Sequence, residues 1–206
     1  MAEQRTDNCP PTAESPLSSP TRAKDTNLQD FAAAHVLRNG TSILIRAVRP
    51  DDKERLRAAF SELDRTSIYT RFFGYRKELT ETELEQATNV DFDRIVALWA
   101  TIDSDGTEII IGGGRYVRNP EPASRPGAEV AFAVEEDYHG QGIASCLLGH
   151  LVRIARSKGL VQLDADVLAR NRPMLAVFAR SGLPMRQQRA RDLIHVTLSL
   201  NSKEPE

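Results

Sequence analysis

The residues best placed to do chemistry lie in one run, Val134-Glu135-Glu136-Asp137-Tyr138-His139-Gly140-Gln141-Gly142-Ile143-Ala144. A strand pattern enters this run and an amphipathic helix pattern leaves it. A glycine-containing turn at a helix start leaves several backbone amides without partners, and the helix dipole adds partial positive charge there. Gly140 and Gly142 let an anion approach the main chain closely, so the turn is suited to a phosphate or diphosphate. A tight loop with no ligand is the other reading of the same residues. The dinucleotide fingerprint G-x-G-x-x-G fails at its third glycine, where Ser145 stands, and it belongs to a parallel βαβ unit rather than to the antiparallel strands expected here.

Other reactive side chains have plainer readings. Glu129 lies on the strand that feeds the turn, between apolar neighbours, and taken alone is the exposed member of an alternating strand. Glu135 and Glu136 read as solvated, Cys146 as part of an apolar helix face, and His150 as a satisfied or surface residue. Asp164 and Asp166 read as the wet side of a strand, and Trp99 as core. Gly112-Gly113-Gly114 marks a bulge beside the cleft rather than a second phosphate loop.

The elements that position these residues follow from periodicity. Ser42 to Val48 reads as a strand, and Pro50-Asp51-Asp52 starts a helix with Leu56, Ala59, Phe60 and Leu63 at helical spacing. A second helical piece is expected over Ser67 to Phe73. Thr80-Glu81-Thr82-Glu83 has capping-box spacing and predicts a helix from about Glu81 to Thr88. Arg94 to Ile102, Glu108 to Val117 and Glu129 to Val134 read as an antiparallel meander with turn-like links. Gly142 to Lys158 is a long helix, Val161 to Val167 a strand, Pro173 to Arg180 a helix and Leu193 to Leu200 a final strand. The fold class is mixed α/β. Residues 1–35 read as a flexible tail, with a marginal helical turn over Phe31 to Val36, and 36–206 as one domain.

Composition narrows the partners. The chain has 206 residues, with 27 Lys+Arg against 29 Asp+Glu, so it lacks the basic excess that neutralises nucleic-acid phosphates. No apolar run reaches the ~20 residues that span a bilayer, and no secretory core appears at the N-terminus. Cys9 and Cys146 permit one disulfide at most and offer no metal-ligand spacing. The expectations are no metal, no nucleic acid, no membrane and a reducing, cytoplasmic home.

His139-Gly140-Gln141-Gly142-Ile143-Ala144, with the strand Ala131-Phe132-Ala133-Val134 before it and Ala169-Arg170-Asn171 after it, resembles the acyl-CoA diphosphate motif of the GNAT superfamily of N-acetyltransferases. Ser67-Ile68-Tyr69-Thr70-Arg71-Phe72-Phe73, Asp91-Phe92-Asp93-Arg94, Ala128-Glu129-Val130-Ala131-Phe132 and Asp166 to Met174 are similar to bacterial protein-lysine acetyltransferases that modify acyl-CoA synthetases. Those relatives often carry an extra regulatory or synthetase-like domain, whereas this sequence carries a short tail.

The resemblance implies the GNAT fold, a mostly antiparallel sheet flanked by helices, over 36–206, with acetyl-CoA as cosubstrate. Backbone groups of Phe132 and Val134 are then expected to pair with the pantetheine arm and thioester. Amides of Gly140, Gln141, Gly142, Ile143 and Ala144 hold the diphosphate, with Ser145 adding its hydroxyl, and Asn171 bonds the pantetheine or phosphate region. His139 stands where the family carries Gln or Arg, which implies tighter CoA binding in mild acid, because imidazole is charged only near or below ~6.5.

Glu129 matches the family's general base, and partial burial is expected to suit it to that task. Phe178 stands where many relatives have a tyrosine that protonates the departing thiolate. The implied reaction is direct attack by a protein lysine in a ternary complex. Acetylation of a small-molecule amine, or acyl-CoA sensing without catalysis, remain the alternatives, and the oligomeric state is open.

Overall fold

A computed structural model describes residues 27–63, 78–120 and 125–201. The helix expected over Ser67 to Phe73 and the tail before residue 27 lie outside the described residues. Strands β1 (Ala32–Val36), β2 (Ser42–Ala47), β3 (Ile95–Ser104), β4 (Thr107–Arg118), β5 (Gly127–Val134), β6 (Gln162–Leu168), β7 (Met185–Ala190) and β8 (Leu193–Ser199) form one sheet in the order β1-β2-β3-β4-β5-β6-β8-β7. Helices α1 (Lys53–Glu62), α2 (Glu81–Thr88), α3 (Ile143–Ser157) and α4 (Arg172–Ala179), with 3-10 turns at Leu28–Asp30, Pro50–Asp52 and Glu136–Tyr138, complete the described elements.

The meander forms because β-branched runs alternate with turn residues. Asp105 and Gly106 both take positive φ, at 52° and 80°, which is the two-residue hairpin turn whose twist matches its strands. The Asp103 carboxylate accepts the Gly106 N–H at 2.9 Å and fixes the corner. β3, β4 and β5 pair antiparallel as expected. Opposite Ala100 and Thr101 the ladder shifts register, leaving Ile111 as the extra residue of a bulge just before the triple glycine.

One pairing breaks the antiparallel rule. β5 and β6 run parallel, joined through α3, and pair only where Gly127, Ala128 and Glu129 face Gln162, Leu163 and Asp164. Beyond Glu129 the two strands part. α3 buries Ile143, Leu147, Leu151 and Ile154 on one face of the sheet. Side chains alternate across a strand, so a Cβ at Gly114 meets Leu151 of α3, while a Cβ at Gly113 meets the Trp99 ring on the opposite face, where α1 and α2 lie.

The capping box at α2 is as the spacing predicts: Thr80 Oγ1 accepts the Glu83 N–H at 3.2 Å, and Glu83 Oε2 accepts the Thr80 N–H at 3.0 Å. A buried ion network pins α1 to the sheet. Arg46, 1% exposed, donates from Nη2 to Asp52 Oδ1 at 2.7 Å and from Nε to Glu108 Oε1 at 2.6 Å. Burial alone disfavours charge on Arg46, but its bonds to Asp52 and Glu108 outweigh that and hold the guanidinium more firmly protonated.

Two elements depart from the sequence reading. Phe31 to Val36, expected as a marginal helical turn at the end of a tail, contains strand β1, which pairs antiparallel with β2 from Ala32↔Arg46 to Val36↔Ser42. The ordered sheet therefore begins upstream of residue 36. Three alanines have little strand propensity of their own; pairing with β2 imposes the conformation. β7, Met185-Arg186-Gln187-Gln188-Arg189-Ala190, was not expected at all. Its side chains are almost all exposed, so it carries no alternating apolar signal, and β8 templates it at the sheet edge.

Candidate active site

The turn after β5 is built to present main-chain nitrogen. Gly140 and Gly142 adopt φ of +74° and +100°, a left-handed conformation that side-chain-bearing residues rarely take, and no protein atom lies within 4 Å of a Cβ built at either. Gly142 is the N-cap of α3 and gives no side-chain cap. The first backbone bond of the helix runs from the Cys146 N–H to the Gly142 carbonyl at 3.0 Å. The amides of Gly142, Ile143, Ala144 and Ser145 thus precede the helix's own bonding ladder. No acidic residue occupies the first turn of α3, so its dipole is left for an anion.

Three of the expected site residues, Glu129, Phe132 and Asn171, meet at the opening between β5 and β6. Glu129, Phe132, Asp166, Asn171, Met174 and Phe178 line a cleft of about 80 Å³ at the fork. The Glu135 N–H bonds the Ile111 carbonyl at 3.0 Å, toward β4. Backbone groups alternate sides along a strand, so those of Phe132 and Val134 point the other way, into the gap where β6 has left. An extended arm added there gains strand-like bonds, sharing or displacing only the His139 Nε2 bond to the Val134 carbonyl.

Asn171 caps α4, its Oδ1 accepting the Met174 N–H at 3.2 Å, so what it offers a ligand is its amide nitrogen. Phe178 is 1% exposed and packs edge-on to Phe132 with ring centroids 6.1 Å apart. Phe178 thus lines the cleft with no proton to give.

Three expectations need correction. Glu129 sits where the strands part, but its side chain is exposed rather than partly buried. His139 does not point at the phosphate turn: its Nε2 bonds the Val134 carbonyl at 2.9 Å, closing the loop on itself. Glu135 is half-buried rather than solvated. Burial raises its carboxyl above the ordinary range, and the nearby charges of Asp137, Glu136 and Glu62 add to this.

Glu135 belongs to a larger cavity that sequence reasoning missed. This space, about 350 Å³, lies between the sheet and α1 and α2, with Ala131, Ala133, Gly113 and Arg115 in its floor and Leu56 and Phe60 in its roof. Its residues come from α1, α2, β3, β4 and β5, and no local spacing betrays such a meeting. The two openings lie on either side of β5. Among the described residues no cluster of His, Cys, Asp and Glu is suited to a metal ion, and no helix is long and apolar enough to cross a membrane.

Comparison with known proteins agrees with this layout. The model of the acetyltransferase (GNAT) family matches residues 61–183, more than half of the chain. An acetyltransferase of Pseudomonas aeruginosa is 32% identical over 138 residues, covering 67% of this chain and 73% of its own. Acetyltransferase Pat of Mycolicibacterium smegmatis is 35% identical over 147 residues, 71% of this chain; the chain spans only 42% of that longer protein. The GNAT domain of S. lividans PAT superposes with a TM-score of 0.74 at 30% identity, covering 86% of this chain and 99% of that domain. Family model, sequence relatives and superposed structure agree that the chain belongs to the GNAT acetyltransferase family and is related to its Pat-type members.

Proposed function

We propose that the protein transfers an acetyl group from acetyl-CoA to the ε-amine of a lysine on a protein, with an acyl-CoA synthetase as the target. The observation that carries this reading is the fork between β5 and β6, with the amide-rich turn at its open end and Glu129 at its closed end. The diphosphate rests on the amides of Gly140 and of Gly142 to Ala144 with the Ser145 hydroxyl, the Gln141 N–H being turned to the Tyr138 carbonyl at 3.4 Å; the pantetheine arm runs along the edge at Val134 and Phe132, and Asn171 donates to it from the β6 side. The protein-lysine target is supported by the relation to Pat-type acetyltransferases.

A free lysine, with pKa ~10.4, is neutral in only about one molecule in a thousand at pH 7, so attack needs a proton acceptor. Glu129 takes one proton from the ammonium and so frees the nitrogen lone pair that forms the C–N bond, and the second proton of that nitrogen leaves through water, which relays it to the sulfur. The thioester π electrons move to oxygen and return as the C–S bond breaks. The CoA sulfur leaves with the bonding pair and is protonated by water, since Phe178 cannot donate; a thiol of pKa ~8.5 leaves readily.

Incubating the chain with acetyl-CoA and candidate acyl-CoA synthetases, followed by mass spectrometry of tryptic peptides, tests the reading. An acetylated lysine that disappears with Glu129→Gln supports it. Turnover of a polyamine or another small amine, with every synthetase unmodified, overturns it. The cavity of about 350 Å³ favours that second reading, because its size falls within the range of small-molecule sites.

A further inference from the structure

The phosphate turn lacks a full positive charge of its own. Between Val134 and Ile143 it carries Glu135, Glu136 and Asp137 and no lysine or arginine. The helix dipole supplies only about half a charge. His139, which stands where relatives carry Gln or Arg, spends its Nε2 on the Val134 carbonyl. Within this run a CoA diphosphate is offered main-chain amides but no lysine or arginine.

Arg38 supplies a cation by position. It lies in the turn between β1 and β2, which is closed by the Leu37 N–H to Thr41 carbonyl bond at 2.8 Å and the Gly40 N–H to Leu37 carbonyl bond at 2.9 Å. Across 102 residues of sequence, Arg38 Nη1 donates to the Gly140 carbonyl at 3.3 Å, in the middle of the phosphate turn. Its side chain is exposed.

The hairpin is seated on α3, which makes the placement more than a chance surface contact. Arg153 Nη2 donates to His150 Nδ1 at 2.6 Å, leaving the Nε2–H of His150 to donate to His35 Nε2 at 2.7 Å. Phe31 packs edge-on against the same His150 ring, at a centroid distance of 5.1 Å. His35 stands one residue before the end of β1, and Arg38 lies in the turn that follows. From His150 back to Ile143 the helix retreats about 10 Å. The seat at His150 thus delivers Arg38 to the helix start.

We infer that Arg38, from the N-terminal hairpin, is a diphosphate-binding residue that supplies the charge the turn itself lacks. This rests on the proposed function, and it adds a ligand contact that the glycine motif does not contain.

Binding of CoA, dephospho-CoA and acetyl-pantetheine to the full chain tests it, with wild type, Arg38→Gln and Arg38→Lys compared by calorimetry. Loss of one charge-assisted contact predicts about tenfold weaker binding of both CoA and dephospho-CoA to Arg38→Gln. Partial recovery is expected in Arg38→Lys, and unchanged binding of acetyl-pantetheine, which has no phosphate. Equal affinity of wild type and Arg38→Gln for dephospho-CoA overturns the inference. So does a loss confined to CoA, which moves the contact to the 3′-phosphate, or a parallel loss with acetyl-pantetheine, which makes Arg38 a brace for the hairpin. A wild-type chain that binds none of the three ligands defeats the proposed function itself; a wild-type chain that binds while Arg38→Gln binds equally well defeats only this contact.

Discussion

Replacing Gly113 with alanine should drive the Trp99 indole off the sheet. A Cβ built at Gly113 lies 2.3 Å from Trp99 Cζ3 and 2.4 Å from Cε3. Carbon atoms rest at about 3.5–4.0 Å, so the rigid ring has to retreat by about 1 Å or more. The space open to it is the cavity under α1 and α2, which Trp99 itself lines. Overpacking of this kind costs about 2 kcal/mol, or roughly 4–8 °C in the unfolding midpoint for a chain of this size. Trp99 is the only tryptophan, so the displacement is read directly as a shift in intrinsic fluorescence. The CoA fork lies across β5 from this cavity, and CoA affinity should stay within twofold while the KM for the acceptor rises. An unchanged emission spectrum together with an unchanged midpoint would refute the packing of Trp99 on Gly113 and the placement of the acceptor above it.

Further outcomes are expected elsewhere. Glu129→Gln should lower kcat by roughly 10²–10⁴, the usual worth of a positioned base, with CoA affinity unchanged by calorimetry; a kcat near wild type would remove Glu129 from the chemistry. Asp52→Ala leaves the buried Arg46 guanidinium paired with Glu108 alone and should destabilise the fold by about 1–3 kcal/mol in urea unfolding, whereas an unchanged midpoint would mean that water replaces the lost bonds. Burial, with help from Arg153 and His35, lowers the His150 pKa to about 4. The unfolded chain then takes up this proton first as pH falls, so the stability is complete above 6.5 and is lost between 6.5 and 4. The loss amounts to about 3 kcal/mol, and His150→Gln should flatten that part of the profile; a wild-type unfolding midpoint that is level across this window would contradict it.

Much of the fold was legible because local signals and tertiary structure agree. The Thr80–Glu83 capping box, the Asp105-Gly106 hairpin and the apolar face of α3 each state their conformation within a few residues. The glycine turn was legible for the same reason, since positive φ at Gly140 and Gly142 is a property of the residues themselves. β1 and β7 were not, because Ala32-Ala33-Ala34 and Arg186-Gln187-Gln188-Arg189 become strands only through the partners that pair with them. The same limit governs the site. Glu129 could be placed on its strand, but its exposure depends on where β6 departs. The link from Arg38 to Gly140 and the half-burial of Glu135 depend on chain segments that meet only after folding.

The central claim is that main-chain nitrogens between His139 and Ser145 hold the diphosphate of CoA. Calorimetric titration of CoA into the full chain, beside Gly140→Val/Gly142→Val, tests it most directly. The account predicts one-site binding by wild type and its loss in the double variant, with the unfolding midpoint lowered by no more than the strain of two left-handed residues, about 2–4 kcal/mol. Absence of heat with the wild-type chain at millimolar CoA, or undiminished binding by the double variant, would contradict it.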